Sequence, residues 1–407
     1  MKRAILFVSG GVEALPGIRL ARRMGLHVVV SDGSADAPGL AEADDTLIAS
    51  TYDIEATVDA ARRYSETVRP LDGVISVAAD VPVTVAAVAE GLGLPGISME
   101  SACLAADKVA MKERFAERGI PAPWFAALEN FEQLLAVVAA RGFPLVIKPV
   151  DSRGARGVLR LGPRVDLAWA YAHSLKWSPT GRVMVEEYLA GPQISTESLL
   201  LDGVGFTPGF ADRNYEFLDR FAPWIIENGG QQPSILSIQD RDAVADLAVR
   251  AGLALGITTG IVKGDIVLTA DGPRVIEVAA RLSGGWFCTD QIPLATGVDL
   301  VGAAIRTALG EPVTPEDLVP TRSQGVAIRY FFPPPGRVNA ITGADRYRTT
   351  PWVHRLGFMV GVGEIVEAAT NHTTRAGYVI TTGETRDEAV ARAVEVVNAV
   401  HMTTSRG

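Results

Sequence analysis

Gly264-Asp265-Ile266-Val267-Leu268 and Arg274-Val275-Ile276-Glu277-Val278, joined across Asp271-Gly272 and followed by Arg281-Leu282-Ser283-Gly284-Gly285, decide how this chain is read. Both runs have strand character, and Asp-Gly is a turn dipeptide that joins two strands into a hairpin. A hairpin lays the strands side by side, so Asp265 and Glu277 converge on one face. Two carboxylates placed in this way suit magnesium, which takes hard oxygen ligands and is commonly held by one or two carboxylates plus nucleotide phosphates. Arg281, four residues past Glu277, adds a planar fork of donors for phosphoryl or carboxylate oxygens. The same letters taken alone also describe an edge hairpin with solvated acids and a surface arginine.

Upstream, the lysines are informative because they are scarce, six against thirty-two arginines. Lys108 follows Asp107 at a helix start, and Lys148 ends the apolar strand Pro144 to Ile147. From Pro149 to Val158 the chain supplies small residues, free backbone amides and the guanidinium groups of Arg153 and Arg156. Such a loop can fold over a polyphosphate. It is not a Walker A loop, since no GxxxxGK[ST] occurs, and a flexible surface turn has the same composition.

The 407 residues predict two or three domains. In the first hundred, strand-like runs (Ala4 to Val8, His27 to Ser31 ending at Asp32, Leu47-Ile48, Gly73 to Val77) alternate with amphipathic stretches (Gly17 to Met24, Glu55 to Tyr64). This is the pattern of a parallel sheet with helices on both faces. Ser98 to Arg118 reads as helix, as do Phe131 to Arg141, Asp240 to Leu255, Leu300 to Leu309 and Arg386 to Val400. Arg182 to Tyr188, Ser195 to Leu201, Ser323 to Phe332 and Ala376 to Thr381 read as strands, and Glu311 to Pro320 as a linker. The fold class expected is α/β.

In order, Asp107-Lys108, Lys148 with its loop, Val185-Glu186-Glu187-Tyr188-Leu189, Asp265, Glu277 and Arg281 form a series far more specific than its members. That series resembles the ATP-grasp superfamily, over residues from the N-terminus to about 320. The resemblance implies a parallel α/β domain over 1–105, an ATP-grasp domain over 106–318 with a lid at about 120–185, and a small α+β domain over 319–407. It implies ATP as co-substrate and Mg2+, or Mn2+ in its place, as the metal. Lys108 and Lys148 would contact phosphates, Ser152, Gly154 and Gly157 belong to the lid, and Glu186, Glu187, Tyr188 and Leu189 to an adenine-binding hinge. Gln193 falls where a glutamate often binds ribose. Asp265 and Glu277 would hold the metal, and Arg281 and Arg156 are the catalytic candidates. Pro333 to Val338 and Gly377 to Ala389 look like the C-terminal domain of biotin carboxylase and its relatives. The chain departs from the pattern at Ala279, where many members carry a third ligand, Asn, and at Arg153 and Ala155, where lid glycines are common.

Within the superfamily, biotin carboxylase is disfavoured because its Gln-Val-Glu-His-like segment is replaced here by Leu282 to Cys288, and carbamoyl-phosphate synthetase because only one ATP-grasp half fits. The lid and Arg281 to Gly285 look most like single-chain amino-acid ligases. The implied reaction joins a small-molecule carboxylate to an amine through an acyl phosphate, forming an amide or peptide bond and releasing ADP and phosphate. Arg213, Ser283, Gly284, Gly285 and Arg306 are candidates for substrate contact. The segment Asp212 to Tyr215, with Arg220 and Trp224, either faces the substrate or is a loop packed on its aromatics. A purine-pathway enzyme acting on a ribotide fits Ala279 but not Leu282 to Cys288, and a catalytically inactive binding protein is permitted by Ala279 and Gln193.

Other classes fit less well. A nicotinamide dinucleotide site at Ser9-Gly10-Gly11 with Asp32 lacks the GxGxxG spacing. The net charge of −9 without a basic cluster argues against nucleic acid. The most apolar stretch, Gly73 to Leu94, is too interrupted to span a membrane, and Ala4 to Val8 is too short for a signal-peptide core. Cys103 and Cys288 build neither a disulfide framework nor a zinc site, and the five histidines follow no ligand spacing. A cytoplasmic enzyme is expected, and family members often form homodimers.

Overall fold

The computed structural model describes residues 2–405; Met1, Arg406 and Gly407, at the ends of the expected first and third domains, lie outside the described residues. The chain opens with β1 (Ala4–Val8), α1 (Leu15–Arg23), β2 (His27–Asp32), β3 (Asp45–Ile48), α2 (Ile54–Thr67), β4 (Gly73–Ile75) and α3 (Pro82–Leu92). The strands form a parallel sheet in the order β3-β2-β1-β4. β1 is buried on both faces, which is why it reads as unbroken apolar sequence. Ala4, Leu6 and Val8 pack against Ala61, Tyr64, Val88 and Ala89 of α2 and α3. Ile5 and Phe7 face the other way, towards Ile18 of α1 and Leu300, Val301, Ala304 and Ile305 from much later in the chain.

Where one helix was expected over 98–118 there are two, α4 (Met99–Ala106) and α5 (Lys108–Glu117). Asp107 interrupts them: its Oδ1 accepts from the backbone N–H groups of Val109 and Ala110, both at 2.9 Å, so it caps α5 instead of continuing α4. Next come β5 (Phe125–Leu128), α6 (Phe131–Arg141), β6 (Leu145–Pro149), β7 (Leu159–Leu161), α7 (Leu167–Lys176) and β8 (Val183–Glu187). They form a small antiparallel sheet, β5-β8-β6-β7, over the buried face of Leu134, Ile147, Leu159 and Val185.

The remaining elements are β9 (Gln193–Leu201), β10 (Val204–Arg213), β11 (Gly229–Gln232), α8 (Ile238–Ala254), β12 (Gly260–Thr269), β13 (Gly272–Ala279), α9 (Ile292–Thr296), α10 (Leu300–Ala308), β14 (Gly325–Phe331), β15 (Gly336–Thr342), α11 (Asp345–Arg348), β16 (Val353–Phe358), β17 (Ile365–Val366), β18 (Gly377–Gly383), α12 (Arg386–Ala399) and β19 (His401–Ser405). An eight-stranded sheet runs β13-β12-β9-β10-β11-β14-β18-β16, so strands from both sides of residue 318 share one hydrogen-bonded ladder. β17, β15 and β19 form a separate small sheet. Asp212-Arg213 ends β10 and is not loop. The expected linker 311–320 contains a tight helical turn, Pro315–Leu318, whose Leu318 is buried in the core beside α10. Among the described residues no helix is long and apolar enough to cross a membrane. The fold is α/β with a parallel N-terminal sheet.

Candidate active site

β12 and β13 pair antiparallel with Asp265 directly opposite Glu277. Residues opposite each other on paired strands project to the same face, so the turn at 270–271 brings the two carboxylates together. The register slips by one immediately after this pair, Ile266 facing Val275. That leaves Ile276 as the extra residue of a bulge, a device that re-aims side chains. α5 crosses this hairpin, and Lys108 at its first position reaches 3.6 Å from Glu277 Oε2 and donates to Ser152 O at 2.7 Å. Glu186 on β8 is deeply buried, with Lys148 Nζ of the neighbouring β6 at 2.6 Å and Lys112 Nζ of α5 at 2.9 Å. Burial alone would raise the Glu186 carboxyl, but the two ammonium groups win and hold it below its usual value. Burial brings Lys112 down to about 8, with Glu186 opposing.

Lys108, Lys148, Ser152, Gly154, Glu186 to Leu189, Gln193, Asp265, Glu277 and Arg281 all border one cavity of about 220 Å3. The four side chains on which the sequence reading turned, at 108, 148, 265 and 277, therefore share a cleft. Asp265 is also the hub of an ion-pair cluster. Lys263 Nζ lies 2.5 Å and Arg213 Nη1 2.8 Å from its Oδ1, and Arg213 turns its other edge to Glu227, with Nε at 3.0 Å. Burial pushes Asp265 up, yet the two cations hold it well below the usual carboxylate range. Ala279, where a third ligand was missed, lies directly opposite Lys263, so an ammonium rather than an amide oxygen reaches Asp265. Among the described residues no group of three metal-ligating side chains is gathered. Two carboxylates on one face fit a hard cation that takes its other oxygens from a nucleotide.

A second cavity, about 520 Å3, adjoins the first. The two share Arg153, Gly154, Arg213, Lys263, Arg281 and His372 as walls. Arg281 Nε lies 3.4 Å from Asp80, which the N-terminal segment delivers between β4 and α3. Ser283, Gly284 and Gly285 form the floor. The Ser283 N–H donates to Glu197 Oε1 at 2.8 Å, and its hydroxyl donates to the other oxygen. Glu197 is fully buried on β9, and burial pushes its carboxyl up to about 7 against those hydrogen bonds. Gly285 N–H donates to Glu13 Oε2 at 2.8 Å, and a Cβ on Gly284 would stand 2.5 Å from that same oxygen, so no larger residue fits without displacing Glu13. Trp286, Tyr330 and Tyr378 close the far side. A larger groove of about 800 Å3 against α5 and α8 takes in Lys112 and the hairpin residues Asp271 and Arg274, and none of the candidate site residues expected from the sequence.

Several expectations need correction. Gly157 borders neither cavity; its φ of +73° and the 2.8 and 2.9 Å approaches of a Cβ to Pro149 and Trp177 show that it is small for packing. Arg156 borders the second cavity rather than the first. Arg306 borders neither: α10 covers the N-terminal sheet, and the guanidinium pairs with Asp317 at 3.3 Å. Arg213 borders both, but its donors are largely committed to Asp265 and Glu227. Asp32 accepts from the N–H groups of Gly10 (2.9 Å) and Ser34 (3.0 Å), the work of a loop cap rather than a ribose ligand. Lys112 and Lys263 were missed, although the rarity of lysine was a usable signal. Glu13, Asp80, Glu197, Glu227, His372 and Arg375 were also missed, and nothing in their sequence surroundings marks them.

Comparison with known proteins agrees along the whole chain. Residues 18–96 match the ATP-grasp N-terminal domain, 107–315 the ATP binding domain of the carbamoyl-phosphate synthase L chain, and 329–405 the L-amino acid ligase C-terminal domain 2. An uncharacterized protein of Sinorhizobium fredii is 26% identical over 98% of this chain and 83% of its own length. A D-alanine--D-alanine ligase of Gloeobacter violaceus is 33% identical, but over 46% of this chain and 63% of that protein. The crystal structure of an L-amino acid ligase from Bacillus licheniformis superimposes with a TM-score of 0.83 at 22% identity, covering 100% of this chain and 99% of that one, a likeness of fold. The middle match alone takes in just over half of the sequence, and Lys108, Lys148, Glu186 to Leu189, Asp265 and Glu277 within it line one cleft: the chain belongs to the ATP-grasp family.

Proposed function

We propose that this chain is a cytoplasmic ATP-dependent carboxylate–amine ligase that activates a carboxylate as an acyl phosphate and joins it to an amine, with α-amino acids as the substrate class. The observation that carries the reading is the pair of adjoining cavities with a common cationic wall of Arg153, Arg213, Lys263 and Arg281. The smaller cavity suits a nucleotide: Lys108 and Lys148 for its phosphates, the segment from Glu186 to Leu189 for the base, and Gln193 for the ribose. Asp265 and Glu277 would hold magnesium, which when bound neutralises phosphate charge. The larger cavity takes the two substrates.

A carboxylate placed on the common wall attacks the γ-phosphorus, and the bond from phosphorus to the β–γ bridging oxygen breaks. Arg281 stands where both cavities meet, placed to stabilise charge on the transferring group. Its Nε is buried against Asp80 Oδ1 at 3.4 Å, an ion pair that fixes the guanidinium at that boundary. Lys108 tethers the lid by its bond to Ser152 O, which helps keep water from the activated carboxylate. The amine then displaces phosphate. Division into units over 1–105, 106–318 and 319–407 remains our working description, with the site assembled among them. The test is ADP formation over a panel of amino-acid pairs and ribotides with mass detection of products. ADP with a dipeptide supports the reading; AMP in place of ADP, a ribotide product, or no turnover with any pair would sink it.

A further inference from the structure

The C-terminal part contributes one titratable ring to the boundary between the cavities. Asn371, buried, accepts from Thr373 N–H at 2.9 Å and Thr373 Oγ at 2.6 Å, building a tight turn at His372–Thr374. That turn sets His372 against both cavities. Its backbone N–H donates to Gly154 O of the lid at 3.0 Å. The ring also faces the Ile225 carbonyl, a partner for a ring N–H. Nε2 is then the acceptor nitrogen, and its hydrogen bond among the described residues is a long one, from the Glu227 N–H at 3.5 Å.

We propose that His372 accepts the proton of the attacking amine, a role that rests on the ligase reading above. An α-amine arrives as an ammonium at neutral pH, so its lone pair must be freed inside the cavity. The acids there are engaged: Glu227 by Arg213 and Arg375, Asp80 by Arg281 and Arg153, Glu13 by the Gly285 N–H. His372 is held neutral by burial and by Arg375, Arg213 and Lys263, well below the ordinary imidazole value. A bound γ-phosphate beside Arg213 and Lys263 offsets that positive field and makes the ring more basic. In the step, one ammonium proton passes to Nε2, and the freed electron pair forms the C–N bond at the acyl carbon. The bond from carbon to the phosphate oxygen breaks, phosphate leaves with that electron pair, and it takes the second proton from nitrogen.

Hydroxylamine separates this role from a structural one, because its nitrogen is largely unprotonated at neutral pH and needs no base. Full-length wild type, His372→Gln and His372→Asn are compared with ATP, Mg2+ and the most active amino-acid pair, and again with hydroxylamine in place of the acceptor. The backbone contact to Gly154 survives both substitutions. The expected result is peptide formation slower by about 100-fold or more, with hydroxamate formation within about threefold of wild type. Equal losses in both reactions, or an unchanged peptide rate, overturn the proposal. So does a selective peptide loss in Glu13→Gln that His372→Gln does not show. Wild type that makes neither ADP nor hydroxamate from any carboxylate takes down the ligase reading itself, a failure visible without any variant.

Discussion

Glu186 is a buried carboxylate that stays ionised because two ammonium groups meet it, and removing either leaves it with a single partner. Lys112→Met should cost about 2–3 kcal/mol in urea unfolding, less than a fully broken buried pair because Lys148 remains. Adding Glu186→Gln should cost less than the two single changes summed, since the sites touch. Glu197 gives a pH signature. Its carboxyl rises from an ordinary 4.5 to about 7 by burial, so between those values the folded protein keeps a proton that the unfolded chain has released. Stability from this group is therefore present at low pH and lost as pH rises through about 7, by roughly 3 kcal/mol in all. Glu197→Gln cannot ionise and still bonds Ser283. Its melting temperature should match wild type near pH 5 and exceed it at pH 8.

Two elements set the geometry of the candidate site. The hairpin β12–β13 was legible from the residues, because its alternation and Asp271-Gly272 turn dictate which side chains share a face. The break between α4 and α5 was less so: Asp107 followed by Lys108 is a cap signal, yet the helical pattern runs through it, and only the folded backbone shows the cap prevailing. Asp107→Ala should remove about 1 kcal/mol of stability. It also frees Arg182, which lies 2.5 Å from Asp107. Because the cap fixes the first turn that carries Lys108, the same variant should bind ATP about tenfold more weakly, about 1.4 kcal/mol, by titration calorimetry. β10 and β11 escaped the sequence reading since Gly205, Pro208, Gly209, Gly229 and Gly230 break the expected strand composition. Gly209 is required because a Cβ there would meet Ile292 Cδ1 at 2.6 Å and Glu197 Cβ at 2.7 Å.

At the level of the whole molecule, the site is a meeting of three stretches distant in sequence. Glu13 and Asp80 come from the connections that follow β1 and β4, Arg281 to Gly285 from the middle, and Tyr330, His372, Arg375 and Tyr378 from the C-terminal part. β11 pairs with β14, so deleting residues 325–405 opens a sheet edge and takes a wall off the second cavity. The shortened chain should be recovered mainly in the insoluble fraction, and any soluble portion should be cut by protease faster than full length. Local pattern alone determined the α/β class, the acid pair, the two lysines and the loop after Lys148, because strand alternation, turn dipeptides and rare residue types act over a few positions; the lid and the hinge at Glu186 to Leu189 were expected only from the family resemblance. Tertiary structure alone decided that Arg306 and Gly157 border neither cavity, that Lys263 and His372 border both, and that Lys112 and Glu197 lie buried behind them against Glu186 and Ser283. Those outcomes depend on which surfaces meet when α10 covers the first sheet and β14 joins the central one, and such contacts leave no periodicity in the residues that make them.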